Sequence, residues 1–293
     1  IGTDHYSQKD MAQAIENFKK SGNKKAYSKL TEIYLNQAEI DSDAQNFKGA
    51  LENYKLSKET ADKGKVPRPS GIEKKILETQ YSLAMKELNS GNTKSAQSIL
   101  ETLEQDTDKE SFARYPDVLY QLFLINYNAN LEDTALGYLQ KLRDVAPEYQ
   151  FDDKAKAIFD KLLNKLTGEA NSEFSKKKYD SSLQIIGKAA VLPNFDPAKQ
   201  KQFEARIVFA QGKDLVSEKK LDEAYAKFES AKKIDLNMAT EIANFVKVNY
   251  IDAGLKEQNI MKKYSAAIEK FLVASKLTPE NNEIASKLLP EAY

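Results

Sequence analysis

The sequence predicts an all-α fold, a solenoid of about six to seven helix–turn–helix units. Three observations carry that prediction. Gly and Pro are scarce, 11 and 8 in 293 residues, and continuous strand-like runs of Val, Ile and Thr are absent. A four-residue stripe at helical spacing recurs along the chain. A further helix-length segment with its own small residue precedes most of these stripes.

The stripe is clearest in KKYSAAIEKFLVASKLTPENN, from Lys262, where Tyr264, Ala267, Phe271 and Ala274 are followed by Pro279. KKLDEAYAKFESAKKIDLN from Lys219, KKYDSSLQIIGKAAVLPNF from Lys177 and QNFKGALENYKLSKETADK from Gln45 repeat it. Counted from a small anchor residue, a bulky group lies three before it, another four after it, and a small one seven after it. Those spacings share one helix face. Alternating large and small side chains on that face let a second helix approach closely.

The anchors are Ala14, Ala50, Ala96, Ala135, Ser182, Ala224 and Ala267, spaced 36 to 47 residues apart. Met11, Phe18 and Ser21 complete the first stripe; Thr93 and Glu132 break the bulky slot of the third and fourth. Twelve residues before an anchor come Ala38, Ala84, Ala170 and Gly212, where a small residue would let the two helices touch. Phe123 and Leu255 break that rule, with Gly254 adjoining the latter. Sixteen before lie Tyr34, Leu119, Leu166, Val208 and Ile251, with Gln80 the exception. Pro147, Pro193 and Pro279 follow second helices and stop them.

This pattern resembles the tetratricopeptide repeat, a helical hairpin whose second helix reads aromatic–x–x–Ala–φ–x–x–aromatic–x–x–Ala before a closing proline. The match is clearest over residues 155–279 and more degenerate in the N-terminal half. The resemblance implies a right-handed superhelical solenoid, and since the family repeat is about 34 residues, the wider spacing here implies lengthened helices, some by one to two turns. FDPAKQKQFEARIVFAQGKDLVSEKK, from Phe195, has the length for one.

The expected organisation is N-terminal repeats over 1–64, middle repeats over 72–150, C-terminal repeats over 151–279 and a capping helix over 280–293. KGKVPRPSG, Lys63 to Gly71, is the Pro/Gly-dense stretch and reads as a surface loop. Ile1 lies 13 residues before Ala14, which leaves room for only the second helix of the first unit. Native sequence upstream of Ile1 is therefore expected.

Composition narrows function. Lys plus Arg and Asp plus Glu are 44 each, so no net field favours nucleic acid. No apolar run approaches the ~20 residues of a membrane span, so no direct membrane insertion is expected within this segment. There is no cysteine, which removes disulfides and thiolate chemistry. His5 is the lone histidine, in a polar segment, and reads as a surface residue. The acidic string EQDTDKE from Glu104 lacks the glycine and distal glutamate of a calcium loop and reads as a solvated turn. No metal, cofactor or catalytic residue is expected, and the chain reads as a non-enzyme. The lysine pairs Lys177-Lys178, Lys219-Lys220 and Lys262-Lys263 fall between paired helices, where positive charge suits the end of the first helix.

The resemblance implies a non-enzymatic scaffold binding a protein or peptide partner on a concave face lined by first helices. Eleven residues before the last three anchors lie Asn171, Lys213 and Lys256; eighteen before lie Asn164, Arg206 and Asn249. In some family members Lys, Arg and Asn at comparable places hold a carboxylate by charge-assisted hydrogen bonds. Alternatives are a bacterial envelope assembly factor, periplasmic or lipoprotein-anchored, and the non-catalytic domain of a larger signalling protein or enzyme. An envelope location is favoured over a cytoplasmic one.

Overall fold

The computed structural model describes residues 8–106, 112–281 and 283–293, with side chains over 14–105, 112–281, 283–284 and 286–293. His5, the side chain of Met11 and the acidic string beyond residue 106 lie outside the described residues. No strand is present among those described. The chain divides into two compact units, Ile1–Gln150 and Phe151–Tyr293.

In the first unit, α1 (Gln8–Ser21) packs on α2 (Lys24–Asp43). Three hairpins follow: α2 with α3 (Phe47–Gly64), α4 (Ile72–Asn89) with α5 (Thr93–Asp106), and α6 (Tyr115–Asn128) with α7 (Glu132–Val145). Asn23 caps α2 by accepting the Ala26 N–H at 2.9 Å. The Pro/Gly-dense stretch, expected as a loop throughout, begins inside the last turn of α3 at Lys63 and Gly64, and the rest falls between α3 and α4. There the Arg68 guanidinium ties back to Asp62 with two hydrogen bonds, at 2.5 and 2.8 Å, and to Glu73 at 3.0 Å. The aromatic-rich helix α6 is core, with Tyr115, Leu119, Tyr120, Leu122 and Phe123 buried.

The second unit repeats the plan. α8 (Asp153–Ser175) pairs with α9 (Tyr179–Ala189), and α10 (Pro197–Ser217) with α11 (Leu221–Ile234). α12 (Met238–Val246), a π-helical turn (Lys247–Asp252) and α13 (Ala253–Asn259) form one continuous first helix that pairs with α14 (Tyr264–Leu277). A π-turn Ile284–Leu288 and α15 (Leu289–Ala292) close the chain, burying Ile284 and Ala292 in one cluster with Phe271 and Leu277. α8 and α10 run 23 and 21 residues, so the helices are lengthened as the spacing predicted.

The stripe is the packing face. The anchors Ala50, Ala96, Ala135, Ser182, Ala224 and Ala267 are all fully buried. Each sits three residues into its helix, where its N–H bonds the carbonyl of the residue before the helix, as Ala224 does to Lys220 at 3.0 Å. Opposite them Ala38, Ala84 and Ala170 are equally buried, at 0% exposure. A Cβ on Gly212 would lie 2.5 Å from the Phe228 ring, and one on Gly254 would lie 2.6 Å from the Phe271 ring. In α6 and α7 the small slot is taken by Phe123, and Leu139 stands where the neighbouring copies carry Leu100 and Ile186. Ser182 uses its slot further, because its hydroxyl donates to the Ala170 carbonyl across the hairpin at 2.6 Å. Ser57 does the same to Thr31 at 2.8 Å.

The turns between paired helices share one geometry. Gln45, Gly91, Asn130, Lys177, Lys219 and Lys262 all adopt positive φ, between 53° and 81°. In the first five the next residue's N–H reaches back five residues, as Lys220 does to Leu215 at 2.9 Å. This is a Schellman closure with a left-handed residue after the helix. The first lysine of each pair therefore serves the turn through its backbone, a role distinct from the dipole compensation expected of its charge. An L side chain there costs about 1–2 kcal/mol that glycine avoids, offset partly by the greater freedom of unfolded glycine. Lys219→Gly should accordingly raise stability by about 0.5–1 kcal/mol, and Gly91→Ala should lower it by about 1 kcal/mol. Thermal unfolding of both variants checks this; equal midpoints would contradict the left-handed assignment.

Candidate functional site

Six residues were expected on the inner face, and the structure brings three of them together. Asn164 and Asn171 stand on α8, seven residues apart and therefore on one face. Arg206 stands on α10. With Thr167, Lys199 and Gln202 they line a groove of about 350 Å³ between α8 and α10, floored by Leu163, Ile186, Phe195 and Phe203. Its walls are set by capped helix starts. Asp152 accepts the Ala155 N–H at 2.7 Å, and Asp196 accepts the Ala198 N–H at 2.9 Å.

The groove has no acidic residue in its lining. The Arg206 guanidinium lies over Phe174 at 5.5 Å and over Phe203 at 5.8 Å, and those two rings pack edge to face. The rings orient the cation without neutralising it. Neither Arg206 nor Lys199 forms an ion pair among the described residues, although many lysines elsewhere in this unit do, such as Lys177 with Asp214 and Lys232 with Glu229. Asn171 donates to the Thr167 carbonyl at 2.9 Å, and Thr167 donates to the Leu163 carbonyl at 2.6 Å. An aromatic-backed cation, a second cation and amide groups over an apolar floor suit an extended segment carrying carboxylates and an apolar side chain.

Lys213 lies seven residues beyond Arg206 on α10, outside the groove lining, with its Nζ 4.7 Å over the Phe209 ring. Asn249 and Lys256 are also outside it. Asn249 is in the π-helical turn and donates to the Phe245 carbonyl at 2.8 Å. Seven residues return to the same face of an α-helix, but not through a π-turn. The α13–α14 turn also holds one more residue than the others, so Gly254 takes the contact position of Gly212. The residue equivalent to Asn171 and Lys213 is then Leu255, and Lys256 falls one further along.

Sequence reasoning passed over Lys199, Gln202 and Phe195. Lys199, Gln202 and Arg206 follow the same i, i+3, i+7 rule that placed the core. That signal was present, whereas Phe195 is brought in by the α9–α10 connection and carried none. A second cleft, more apolar, lies among Val216, Leu221, Tyr250, Leu272 and Val273 and is bordered by the Lys219–Glu269 pair at 3.6 Å. Among the described residues no group of three or more His, Asp or Glu is placed to hold a metal ion, and no helix is long and apolar enough to cross a membrane.

Repeated hairpins joined small-against-large, with a cation-lined groove between α8 and α10, define an all-α helical repeat protein. No family model matches the chain, and no curated protein matches it. Among solved structures it is similar to the "TPR2AB-domain:pHSP90-complex of yeast Sti1", at 18% identity, covering 90% of this chain and 99% of that one with a TM-score of 0.20. The class assigned here rests on the hairpins' own packing.

Proposed function

We propose that this chain is a non-enzymatic scaffold that holds an extended, acidic segment of a partner protein in the groove between α8 and α10. The observation that carries this reading is the Arg206 guanidinium, fixed over two aromatic rings with no carboxylate of its own, in a groove free of acidic residues. Asn164 and Asn171 face it and supply amide groups for a partner backbone. Lys213, and beyond it Asn249 and Lys256, extend the polar surface along the later first helices.

Affinity capture with mass spectrometry, comparing wild type with Arg206→Glu and Lys199→Glu, tests the groove. Reversing two cations should weaken an acidic partner by tenfold or more, and circular dichroism should show unchanged helicity. Recovery of the same partners in the same amounts by the double variant would remove the groove from consideration. Lys213→Glu with Lys256→Glu then measures how far the contact extends.

A further inference from the structure

We infer that the turn between α13 and α14 is a peripheral docking point for an anionic lipid surface. This turn differs from the others in two independent ways. It is longer: Lys263 donates its N–H to the Glu257 carbonyl, six residues back, at 2.9 Å. The added length presents Ile260 and Met261 to solvent, 74% and 44% exposed, beside Tyr264 at 49%. At the position of Tyr264, the other bulky groups Phe47, Tyr179 and Leu221 are half-buried.

Its charges are also unmatched. In the two preceding turns Lys177 pairs with Asp214, Lys178 with Glu173, Lys219 with Glu269 and Lys220 with Glu218. Lys262 and Lys263 are exposed and pair with nothing among the described residues, and Lys256, on the last turn of α13, is in the same condition. In a chain with 44 acidic and 44 basic residues this leaves a local positive tip.

The shape selects the occupant. Three side chains on a turn cover far less than the roughly 1,200 Å² that a stable protein interface buries. The tip is an exposed turn at the end of a hairpin, so it suits a soft, flat surface. Ile260 and Met261 can seat at the acyl boundary while the lysine stems extend to headgroup phosphates. Tyrosine is at home at that depth. Neither signal suffices alone: the apolar pair is small, and surface lysines act only near anionic lipid. The contact is therefore reversible and involves no spanning helix.

Sedimentation with phosphatidylcholine vesicles, with and without phosphatidylglycerol, tests this at low and moderate salt. Wild type should bind the anionic vesicles and lose that binding with added salt. Ile260→Ser with Met261→Ser, and separately Lys262→Gln with Lys263→Gln, should each weaken it about tenfold or more. The chain has no tryptophan, so Met261→Trp places a single reporter whose emission should shift to the blue on anionic vesicles. Arg206→Glu should leave vesicle binding intact, which separates this inference from the groove reading. Equal binding by the tip variants, or no binding and no blue shift, overturns the proposal. So does a concentration-dependent dimer that Ile260→Ser abolishes, because the tip would then be a contact between copies.

Discussion

Phe228→Ala should destabilise the second unit by about 3–5 kcal/mol, the cost of removing a fully buried aromatic from a packed core. The ring fills the space that Gly212 leaves, and a Cβ on that glycine would meet it at 2.5 Å. Gly212→Leu alone should therefore force the ring out of place and cost about 1–3 kcal/mol. Together the two changes should cost less than their sum, because the leucine would occupy the volume the phenylalanine vacates. A large residue at the small slot already exists in this chain, where α6 carries Phe123 and α7 carries Leu139 in the repeat. A double-mutant cycle by urea unfolding should give a coupling of about 1–3 kcal/mol. Strict additivity would mean that the two positions do not share a volume.

Asp214→Ala should cost about 1–2 kcal/mol at neutral pH. Its carboxylate accepts the Tyr179 hydroxyl at 2.8 Å and the Lys177 ammonium at 2.5 Å, so it fastens one hairpin's turn to the next hairpin's first helix. Burial raises the Asp214 carboxyl, and the hydrogen bonds from Lys177 and Tyr179 outweigh that, holding it below its ordinary 3.8. Its contribution is present above that value and is lost as the pH falls through the lower folded value. Wild type and variant should therefore converge in acid.

Tyr179 shows the opposite sign. Burial, then its hydrogen bond to Asp214, push its hydroxyl from 10.0 to about 12. That contribution is complete below pH 10 and is lost as the pH rises toward 12. Wild type should lose stability across that window more steeply than Tyr179→Phe. Parallel curves would show that the hydroxyl is not held by Asp214. The first unit makes an equivalent fastening with different groups: Lys86, at the matching place on α4, donates to the Gln45 carbonyl at 2.9 Å and lies 6.0 Å from the Phe47 ring.

The repeat frame was legible because close packing of two helices demands small residues at fixed intervals, and that demand leaves a periodic trace. It survives degenerate copies. Thr93 and Glu132 break the bulky slot, yet α5 and α7 still begin three residues before Ala96 and Ala135. The left-handed turns were half legible. Gly91 and Asn130 are common there, but Gln45 and the three lysines are not, and closure geometry chose the conformation in spite of the side chain. Two of the six candidate residues, Asn249 and Lys256, fall off the frame of the earlier copies. A period of 3.6 cannot register a π-helical turn or a single added turn residue, and both occur in the last hairpin.

By itself, the sequence determined the class: which residues form helices, which face of each is buried, and where each hairpin turns. These follow from local spacing and from the volume a neighbouring helix requires. Only the tertiary structure decided which polar groups meet. Arg206 stands over Phe174 and Phe203, Asp214 between Lys177 and Tyr179, and Lys262 and Lys263 form no ion pair among the described residues. Such meetings depend on how one hairpin sits on the next, and periodicity along a single chain contains no record of that.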